Sequence, residues 1–111
     1  MSKSIERLVL ERALTLLQAG FSQRTYARDK KGRKVDWSSG KAVKFCATGA
    51  IRRATWELTG EEQGVIAQAV TTRLGRPAHD YDEAQGYLVW KNDFVGKKWV
   101  VRRFKKRLAH V

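Results

Sequence analysis

The chain contains a single cysteine and a single proline in 111 residues. Because Cys46 is the only cysteine, the chain has no internal disulfide. The chain has only two histidines in addition, and the three residues match no spacing typical of a structural zinc site. Chains without disulfides are typical of reducing compartments, so we expect a cytoplasmic protein. We also expect neither a bound metal nor another cofactor.

Long apolar runs are missing as well. No segment approaches the roughly 20 consecutive apolar residues that a transmembrane helix needs, so we expect no membrane span. Charged side chains at Glu6, Arg7, Glu11 and Arg12 interrupt the N-terminal segment and exclude a signal-peptide core there. The sequence also lacks a Walker phosphate loop, a dinucleotide-binding glycine motif and a nucleophile elbow. No catalytic constellation is recognisable.

Acidic residues are scarce relative to basic ones. The chain has 23 Lys and Arg against 11 Asp and Glu, which gives a net charge of +12. Solubility requires a magnitude of only about 2–8 in a small domain, and self-repulsion destabilises the compact state. Residues 24–56 hold ten basic and two acidic side chains, residues 94–111 hold seven basic and no acidic ones, and the segment between them is acidic. This excess predicts a polyanionic ligand.

Apolar periodicity predicts two helices in the first half of the chain. The first covers about residues 4–19, with Ser4 as its N-cap and Gly20 as its stop. The second covers residues 40–58, where small residues permit close packing against a neighbour. Its apolar positions are Val43, Cys46, Ala47, Ala50, Ile51, Ala54 and Leu58.

A third helix is predicted at about residues 65–74. A capping box over residues 59–62, in which Thr and Glu side chains satisfy each other's backbone amides, would start this helix. Gly75 and Pro77 would end it. The following residues 78–86 are rich in Asp and Glu, and they are predicted to form an acidic loop.

Residues 21–38 alternate in a way that favours a short β-hairpin, although an ordered loop is also possible. Residues 87–90 are apolar and β-prone, which predicts one short strand. A last helix would then start at Asn92 or Asp93, but the run 94–108 also fits a strand. We therefore expect a single α+β domain, mainly α, with three or four packed helices and a small β-hairpin or short strands.

Cys46 is the most reactive side-chain type in the chain. A cysteine near a helix start can be a nucleophile when a histidine is close, but His79 and His110 are both far away in sequence. Because Cys46 also lies on an apolar stripe, we predict a buried core residue. Cys46→Ser should then cost about 1–3 kcal/mol, and Cys46→Ala should cost less. The acidic loop after His79 is more simply a solvated loop than a cation site.

Two basic segments provide the candidate binding residues. In the first, cations surround Tyr26, whose ring could stack on an exposed base while the cations neutralise phosphates. The second has the pattern of a basic amphipathic helix. The alternatives are a merely solvated hairpin, and a helix that simply packs Trp99 and Phe104 inward while its last cations interact favourably with the helix dipole. The predicted nucleic-acid-binding residues are Arg24, Tyr26, Arg28, Lys30, Lys31, Arg33, Lys34, Lys41, Lys44, Arg52, Arg102, Arg103, Lys105 and Lys106.

Three short motifs also carry a family resemblance. They consist of Ala27, Arg28, Asp29, Gly32 and Arg33; of Cys46, Ala47, Gly49 and Ala50; and of Trp90, Asn92 and Asp93. Through them the sequence resembles an uncharacterised family of small bacterial and phage proteins, a domain of unknown function. The resemblance covers most of residues 8–108. It implies an α-rich fold with a final helix and a helix cap at Asn92 and Asp93, but it implies no activity. Lys91 inside the third motif and the strongly basic last helix depart from the family's pattern.

The sequence as a whole favours a small basic binding protein that contacts nucleic acid or another polyanion without catalysis. Both basic segments would share one surface. The alternative is a protein-interaction module, of a phage or mobile-element type, that binds an acidic host protein. An enzyme is the least favoured class. No base-reading motif is present, so DNA and RNA are not distinguished and no sequence specificity is predicted.

Overall fold

The computed structural model describes residues 4–61, 64–76 and 78–111. Within these residues the chain forms five helices and a small three-stranded antiparallel sheet with strand order β2-β1-β3. The elements in chain order are α1 (Ile5–Ala19), β1 (Ala27–Arg28), β2 (Lys34–Val35), β3 (Lys44–Phe45), α2 (Ala47–Thr59), α3 (Val65–Leu74), α4 (Tyr81–Phe94) and α5 (Lys97–Leu108). The predicted class, α+β and mainly α, is confirmed, but the number of helices exceeds the predicted three or four.

The first predicted helix is confirmed as α1. The Ser4 hydroxyl accepts a hydrogen bond from the Arg7 backbone N–H at 3.2 Å, so Ser4 is the predicted N-cap. Gly20 ends the helix in an extended conformation, and its N–H donates to the Leu16 carbonyl. The buried stripe of α1 contains Val9, Leu10, Ala13 and Leu17, and it faces α2 and α5.

The second predicted helix is confirmed over residues 47–58 as part of α2, but its predicted start at residue 40 was wrong, because α2 begins only at Ala47. Residues Lys44–Phe45 form β3, which pairs with β1 so that Phe45 lies opposite Ala27. The backbone N–H of Val43 donates to Arg28, and that of Cys46 donates to Tyr26. These backbone amides donate to carbonyls of β1 and of the residue before it, so the segment is held in an extended conformation and not in a helix. Helical periodicity extended into this segment because Val43 and Cys46 fall at helical spacing from the apolar residues of α2.

The predicted hairpin is confirmed, although its strands are shorter than expected. β1 and β2 pair antiparallel, and Gly32 occupies the turn with a φ of +84°. The buried Asp29 carboxylate accepts the backbone N–H groups of Lys31 and Arg33 and pairs with the Arg33 guanidinium at 2.8 Å. The Arg33 N–H, together with these other donors, lowers the Asp29 pKa. Asp29 therefore defines the hairpin turn.

The predicted capping box before the third helix was wrong in its Thr59 half, and Glu62 lies outside the described residues. Thr59 is the last residue of α2, and its hydroxyl donates to the Thr55 carbonyl at 2.7 Å. The residue at the start of α3 is Gly64, which has no side chain to cap it. Gly75 does follow the end of α3, as predicted, and Pro77 is outside the described residues.

The predicted acidic loop over residues 78–86 and the predicted strand at residues 87–90 were both wrong, because one helix, α4, runs from Tyr81 to Phe94. The Asp80 carboxylate caps it by accepting the Glu83 N–H at 2.9 Å. Acidic side chains in the first turn suit the positive end of a helix dipole, so the acidic stretch starts a helix. Burial of Ala84 and Leu88, one turn apart, outweighs the β propensity of the apolar residues.

The last helix, α5, confirms the helical alternative for the C-terminal run, but Asn92 and Asp93 do not cap it. Both residues lie within α4, and α5 follows Gly96, whose φ is +109°. Only Gly readily adopts this conformation, and it allows a tight turn between two consecutive helices. The buried positions of α5 are Val100 and Phe104.

A buried carboxylate joins three of the helices. Glu6 on α1 accepts hydrogen bonds from Arg73 on α3 at 2.6 Å and from Arg107 on α5 at 2.7 Å. Burial alone would raise the Glu6 pKa, but the hydrogen bonds and charges of the two arginines outweigh it and lower the pKa. Among the described residues, no helix is both long enough and apolar enough to cross a bilayer.

Two helical glycines provide a matched test of how closely α2 packs against Tyr26. A Cβ atom at Gly49 on α2 would overlap the Tyr26 carbonyl, whereas one at Gly86 on α4 would meet no atom within 4 Å. We expect Gly49→Ala to lower the free energy of unfolding by about 1–3 kcal/mol. Gly86→Ala should raise it by about 0.5–1 kcal/mol, because alanine favours the helix. Urea denaturation measures both, and equal effects would contradict the close approach of α2 to Tyr26.

Candidate functional site

A cleft of about 350 Å³ opens where the N-terminus of α2 meets the loop before β1 and the last turns of α4. We call it the α2 cleft. Three residues of the motifs that carry the family resemblance, Cys46, Asn92 and Asp93, come together here from distant parts of the sequence. The side chains that line it are Arg24, Thr25, Tyr26, Cys46, Thr48, Val89, Asn92 and Asp93.

Asn92 is the polar centre of this junction and is almost completely buried. Its Oδ1 accepts the backbone N–H of Ala47, the first residue of α2, at 2.9 Å. Its Nδ2 donates to the Ser22 carbonyl at 3.0 Å and to Asp93 Oδ1 at 3.0 Å. Asn92 therefore caps a helix, as the resemblance implied, but the helix is α2 and not the one that follows it in sequence.

The neighbouring Asp93 holds the loop before β1. Its Oδ1 accepts the backbone N–H of Arg24 at 2.9 Å, and Arg24 has a left-handed backbone with a φ of +66°. The Gln23 side chain donates to the carbonyls of Asn92 and Asp93 at 3.1 and 3.2 Å. These contacts place the exposed Arg24 side chain at the mouth of the α2 cleft.

Cys46 is buried as predicted, but its role differs from that of a residue on a helical stripe. It is the N-cap of α2, where its Sγ accepts the Gly49 N–H at 3.2 Å and lies 3.3 Å from Thr48 Oγ1. Burial raises the pKa of the Cys46 thiol, and this effect exceeds the opposing hydrogen bonds. The arrangement disfavours the thiolate that a nucleophile would require.

No histidine lines the α2 cleft in the described part of the chain. His79 precedes the N-cap of α4, and about twelve helical residues, roughly 18 Å, separate that end from Asn92. The first amides of α2 are also occupied, since Ala47 donates to Asn92 and Gly49 donates to Cys46. The cleft thus offers neither a Cys–His pair nor unoccupied donors at these amides for an anion.

The acidic residues around His79 serve the helix start instead. Asp80 caps α4, and Glu83 accepts the His79 backbone N–H at 2.8 Å. Across the described residues, no group of three or more His, Cys, Asp or Glu side chains is placed to hold a metal ion.

Two arginines of the basic hairpin bind groups of the protein itself. The Arg28 guanidinium donates to the carbonyls of Gly32 and Gln23, and Arg33 pairs with Asp29. Three lysines line a groove of about 410 Å³ together with Arg33, whose side chain stays largely exposed despite its ion pair. The full lining is Asp29, Lys30, Lys31, Arg33, Gly40, Lys41 and Val43. Lys34 is exposed and Lys44 is half-buried.

The predicted stacking residue, Tyr26, already has a cationic neighbour. The Arg52 guanidinium lies 5.0 Å from the centroid of the Tyr26 ring and donates to the Tyr81 hydroxyl at 3.3 Å. The Gln85 side chain donates to the Tyr26 hydroxyl at 3.4 Å. These contacts order Tyr26 against α2 and α4.

Helix α5 carries cations on two flanks. On the first flank, four cations line a groove of about 520 Å³ that we call the α5 groove. Its lining residues are Gln18, Lys97, Lys98, Val101, Arg102 and Lys105, with no carboxylate among these described residues. Lys97 donates to the Gln18 carbonyl at 3.3 Å, which ties the N-terminus of α5 to the end of α1.

On the second flank, the arginines are held within the fold. Arg103 donates to the carbonyls of Leu74 and Arg76 at 2.7 and 2.6 Å, which satisfies the C-terminal end of α3. Arg107 pairs with Glu6. These two arginines line a smaller groove of about 230 Å³ with Arg73, Arg76, Lys106 and His110.

Ten of the fourteen predicted binding residues are divided among the α2 cleft and three separate grooves, and four of them, Arg28, Lys34, Lys44 and Arg52, line none of these. The hairpin groove and the two grooves beside α5 share no lining residue, and Lys105 and Lys106 lie on opposite flanks of α5. The predicted set missed Lys97, Lys98 and Gln18, which help to form the α5 groove. Helical spacing would have identified Lys98, because it stands four residues before Arg102 on the same face. No local signal indicated Gln18.

Comparison with known proteins identifies the family and no activity. A family model described as a family of unknown function (DUF6197) matches residues 2–103. The resemblance to a domain of unknown function is thereby confirmed at the level of the family. No curated protein and no solved structure matches the chain.

Asn92 gives a direct test of the junction. Asn92→Ala would leave the buried Ala47 N–H and Ser22 carbonyl without partners, so we expect it to lower the free energy of unfolding by about 2–4 kcal/mol. Gln85→Ala, on the same helix, removes only a long contact to Tyr26 and should cost less than about 0.5 kcal/mol. Urea denaturation compares the two variants, and similar costs would contradict the capping role of Asn92.

Cys46 now carries an expectation opposite to the one its sequence pattern suggested. Serine is a preferred N-cap, so Cys46→Ser should keep the hydrogen bond to Gly49 and change stability by less than about 1 kcal/mol. Cys46→Ala removes the acceptor and should cost about 1–2 kcal/mol. Urea denaturation of both variants measures which loses more free energy of unfolding. A greater loss for Cys46→Ser would show that Cys46 acts as an apolar core residue and not as an N-cap.

Proposed function

The chain belongs to the DUF6197 family of unknown function, and we propose that it binds the phosphate backbone of nucleic acid through the α5 groove. The observation that carries the proposal is that four cations line this groove and no carboxylate does among the described residues. Lys and Arg that contact phosphates displace condensed counterions, which supplies most of the affinity of non-specific binding. The proposed role is binding without catalysis.

The spacing of the cations suits a linear polyanion. Lys98, Arg102 and Lys105 follow one another at four and three residues, so they share one face of α5. Their span along the helix axis is about 10 Å, which corresponds to about three phosphates of one strand. All three side chains are exposed, whereas Val100 and Phe104 hold the helix to the core.

The hairpin is the secondary part of the proposed contact surface. Lys30, Lys31 and Lys41 are exposed there, but the nearby Asp29 reduces their local potential. Because the described residues show no element that would read base edges, the proposed contact is independent of sequence. A cytoplasmic location, which the lack of disulfides favours, is part of the proposal.

The proposal predicts a steep dependence on salt. Four phosphate contacts correspond to a slope of log affinity against log salt of about −3 to −4. Fluorescence anisotropy with a labelled oligonucleotide, over a range of salt concentrations, measures this slope. A slope near zero, or no binding at low salt, would overturn the proposal. If the protein binds an acidic protein but does not bind nucleic acid, the result would support a protein-interaction module instead.

Two charge-matched variants separate a local site from bulk charge. Lys98→Glu with Arg102→Glu, and Lys30→Glu with Lys31→Glu, each reverse two exposed cations, so each lowers the net charge by the same amount. We expect a loss of affinity of roughly tenfold or more for the α5 pair and a smaller one for the hairpin pair, because salt screens charges beyond about 8–10 Å. Equal losses would show that bulk charge, and not the α5 groove, drives binding.

A further inference from the structure

We propose that Trp90 and Phe94 form a stacking platform for unpaired bases, so that the ligand of this protein is single-stranded nucleic acid. The inference rests on the proposed binding of nucleic acid and specifies its substrate class. Both residues are large apolar side chains on α4, yet Trp90 is 53% exposed and Phe94 is 70% exposed. Isolated exposed apolar residues are common, but adjacent exposed aromatic rings indicate an interaction surface.

The two rings stand together on one face of the helix. They are four residues apart, and their centroids are 6.2 Å apart with an interplanar angle of 36°. One turn earlier the same face carries Gly86, where even a Cβ atom would find nothing within 4 Å. The face along Gly86, Trp90 and Phe94 is therefore open, and a planar base could reach the rings without displacing a side chain.

Cations flank the platform on the side of α5. The Lys91 ammonium lies 5.1 Å from the Trp90 ring centroid and 5.4 Å from that of Trp99 on α5. Lys97 follows Phe94 by three residues, so the two backbones are within about 10 Å of each other, and its ammonium donates to the Gln18 carbonyl at the edge of the α5 groove. The corner between α4 and α5 thus offers aromatic surface for bases next to cations for phosphates, which is the combination that single-strand binding requires.

The carboxylates of α4 do not oppose this corner. Asp82 and Glu83 are in the first turn, about eleven residues or roughly 16 Å along the axis from Phe94. Asp93 is nearer, but its Oδ1 accepts hydrogen bonds from the Arg24 N–H and the Asn92 side chain on the cleft side. Lys91 is therefore the charged side chain of α4 that the structure places against the rings.

This charge favours a polyanion over a second copy of the chain as the occupant. A symmetric dimer through the rings would bring Lys91 and Lys97 of two protomers together, and each protomer has a net charge of +12. An unpaired base avoids that repulsion because its phosphates bring negative charge. In a duplex the bases stack on one another, so their faces are not available to Trp90 and Phe94.

The experiment compares a thymidine oligonucleotide of 16 residues with a duplex of the same length, by fluorescence anisotropy at low salt. Trp90→Ala with Phe94→Ala should weaken binding of the single strand by about tenfold or more, because stacking supplies much of its affinity. Duplex affinity should change by about twofold or less. Trp90→Phe, which keeps an aromatic ring at this position, should retain most of the single-strand affinity.

The matched control removes exposed apolar side chains elsewhere. Leu58→Ala with Val65→Ala truncates two exposed residues on α2 and α3, and it should leave both affinities unchanged. Circular dichroism verifies that each variant is folded. Quenching of tryptophan fluorescence by the oligonucleotide should decrease in Trp90→Ala, since the stacked indole is the one that the bases contact.

The possible outcomes separate this inference from the proposed function. If the wild-type protein binds neither oligonucleotide, both proposals are overturned. If both are bound equally and the double alanine variant behaves as wild type, the α5 groove stands and the stacking platform is overturned. If the rings matter only for concentration-dependent self-association in sedimentation, the platform is a dimer interface and the inference is wrong.

Discussion

The fold depends on the buried amide of Asn92. This one side chain satisfies the first N–H of α2 and a carbonyl in the loop before β1, so it joins α4 to both at a single point. A buried polar group with its partners removed costs more than an exposed hydrogen bond contributes, so the contact confines α2, α4 and the loop to one arrangement. The α2 cleft and the position of Arg24 follow from that arrangement.

The net charge of +12 has two uses that the structure distinguishes. Arginines supply many internal contacts, because a guanidinium offers several donors in a planar fork and keeps its charge when partly buried. Examples are Arg28, Arg53, Arg103 and Arg107, which bind backbone carbonyls or the Glu6 carboxylate. Lysine ammonium groups are strongly hydrated and stay largely at the surface. The surface charge available to a ligand is therefore carried mainly by lysines, and α5 presents four of them in a short span.

Interpretation of the sequence succeeded where local interactions decide the structure. Ser4 starts α1, residues 21–38 contain the expected hairpin, and the basic amphipathic pattern with an inward Phe104 makes α5 a helix. It failed where a backbone amide pairs with a strand distant in sequence, and where a local helix cap outweighs the composition of a segment. Residues 40–46 fit a helical stripe but satisfy the sheet, and Asp80 makes a helix start of a stretch whose composition suggested a loop. Apolar spacing alone does not distinguish these alternatives.

By itself, the sequence determined a basic, mainly helical chain with one cysteine, and it identified most of the cations that face solvent. These properties depend on composition and on spacing within a few turns of helix. Only the tertiary structure decided that Asn92 caps a helix 45 residues away, that Cys46 is an N-cap, and that the basic residues divide among separate grooves. Contacts between segments far apart in sequence leave no periodic pattern along the chain, so they exist only once the helices have packed.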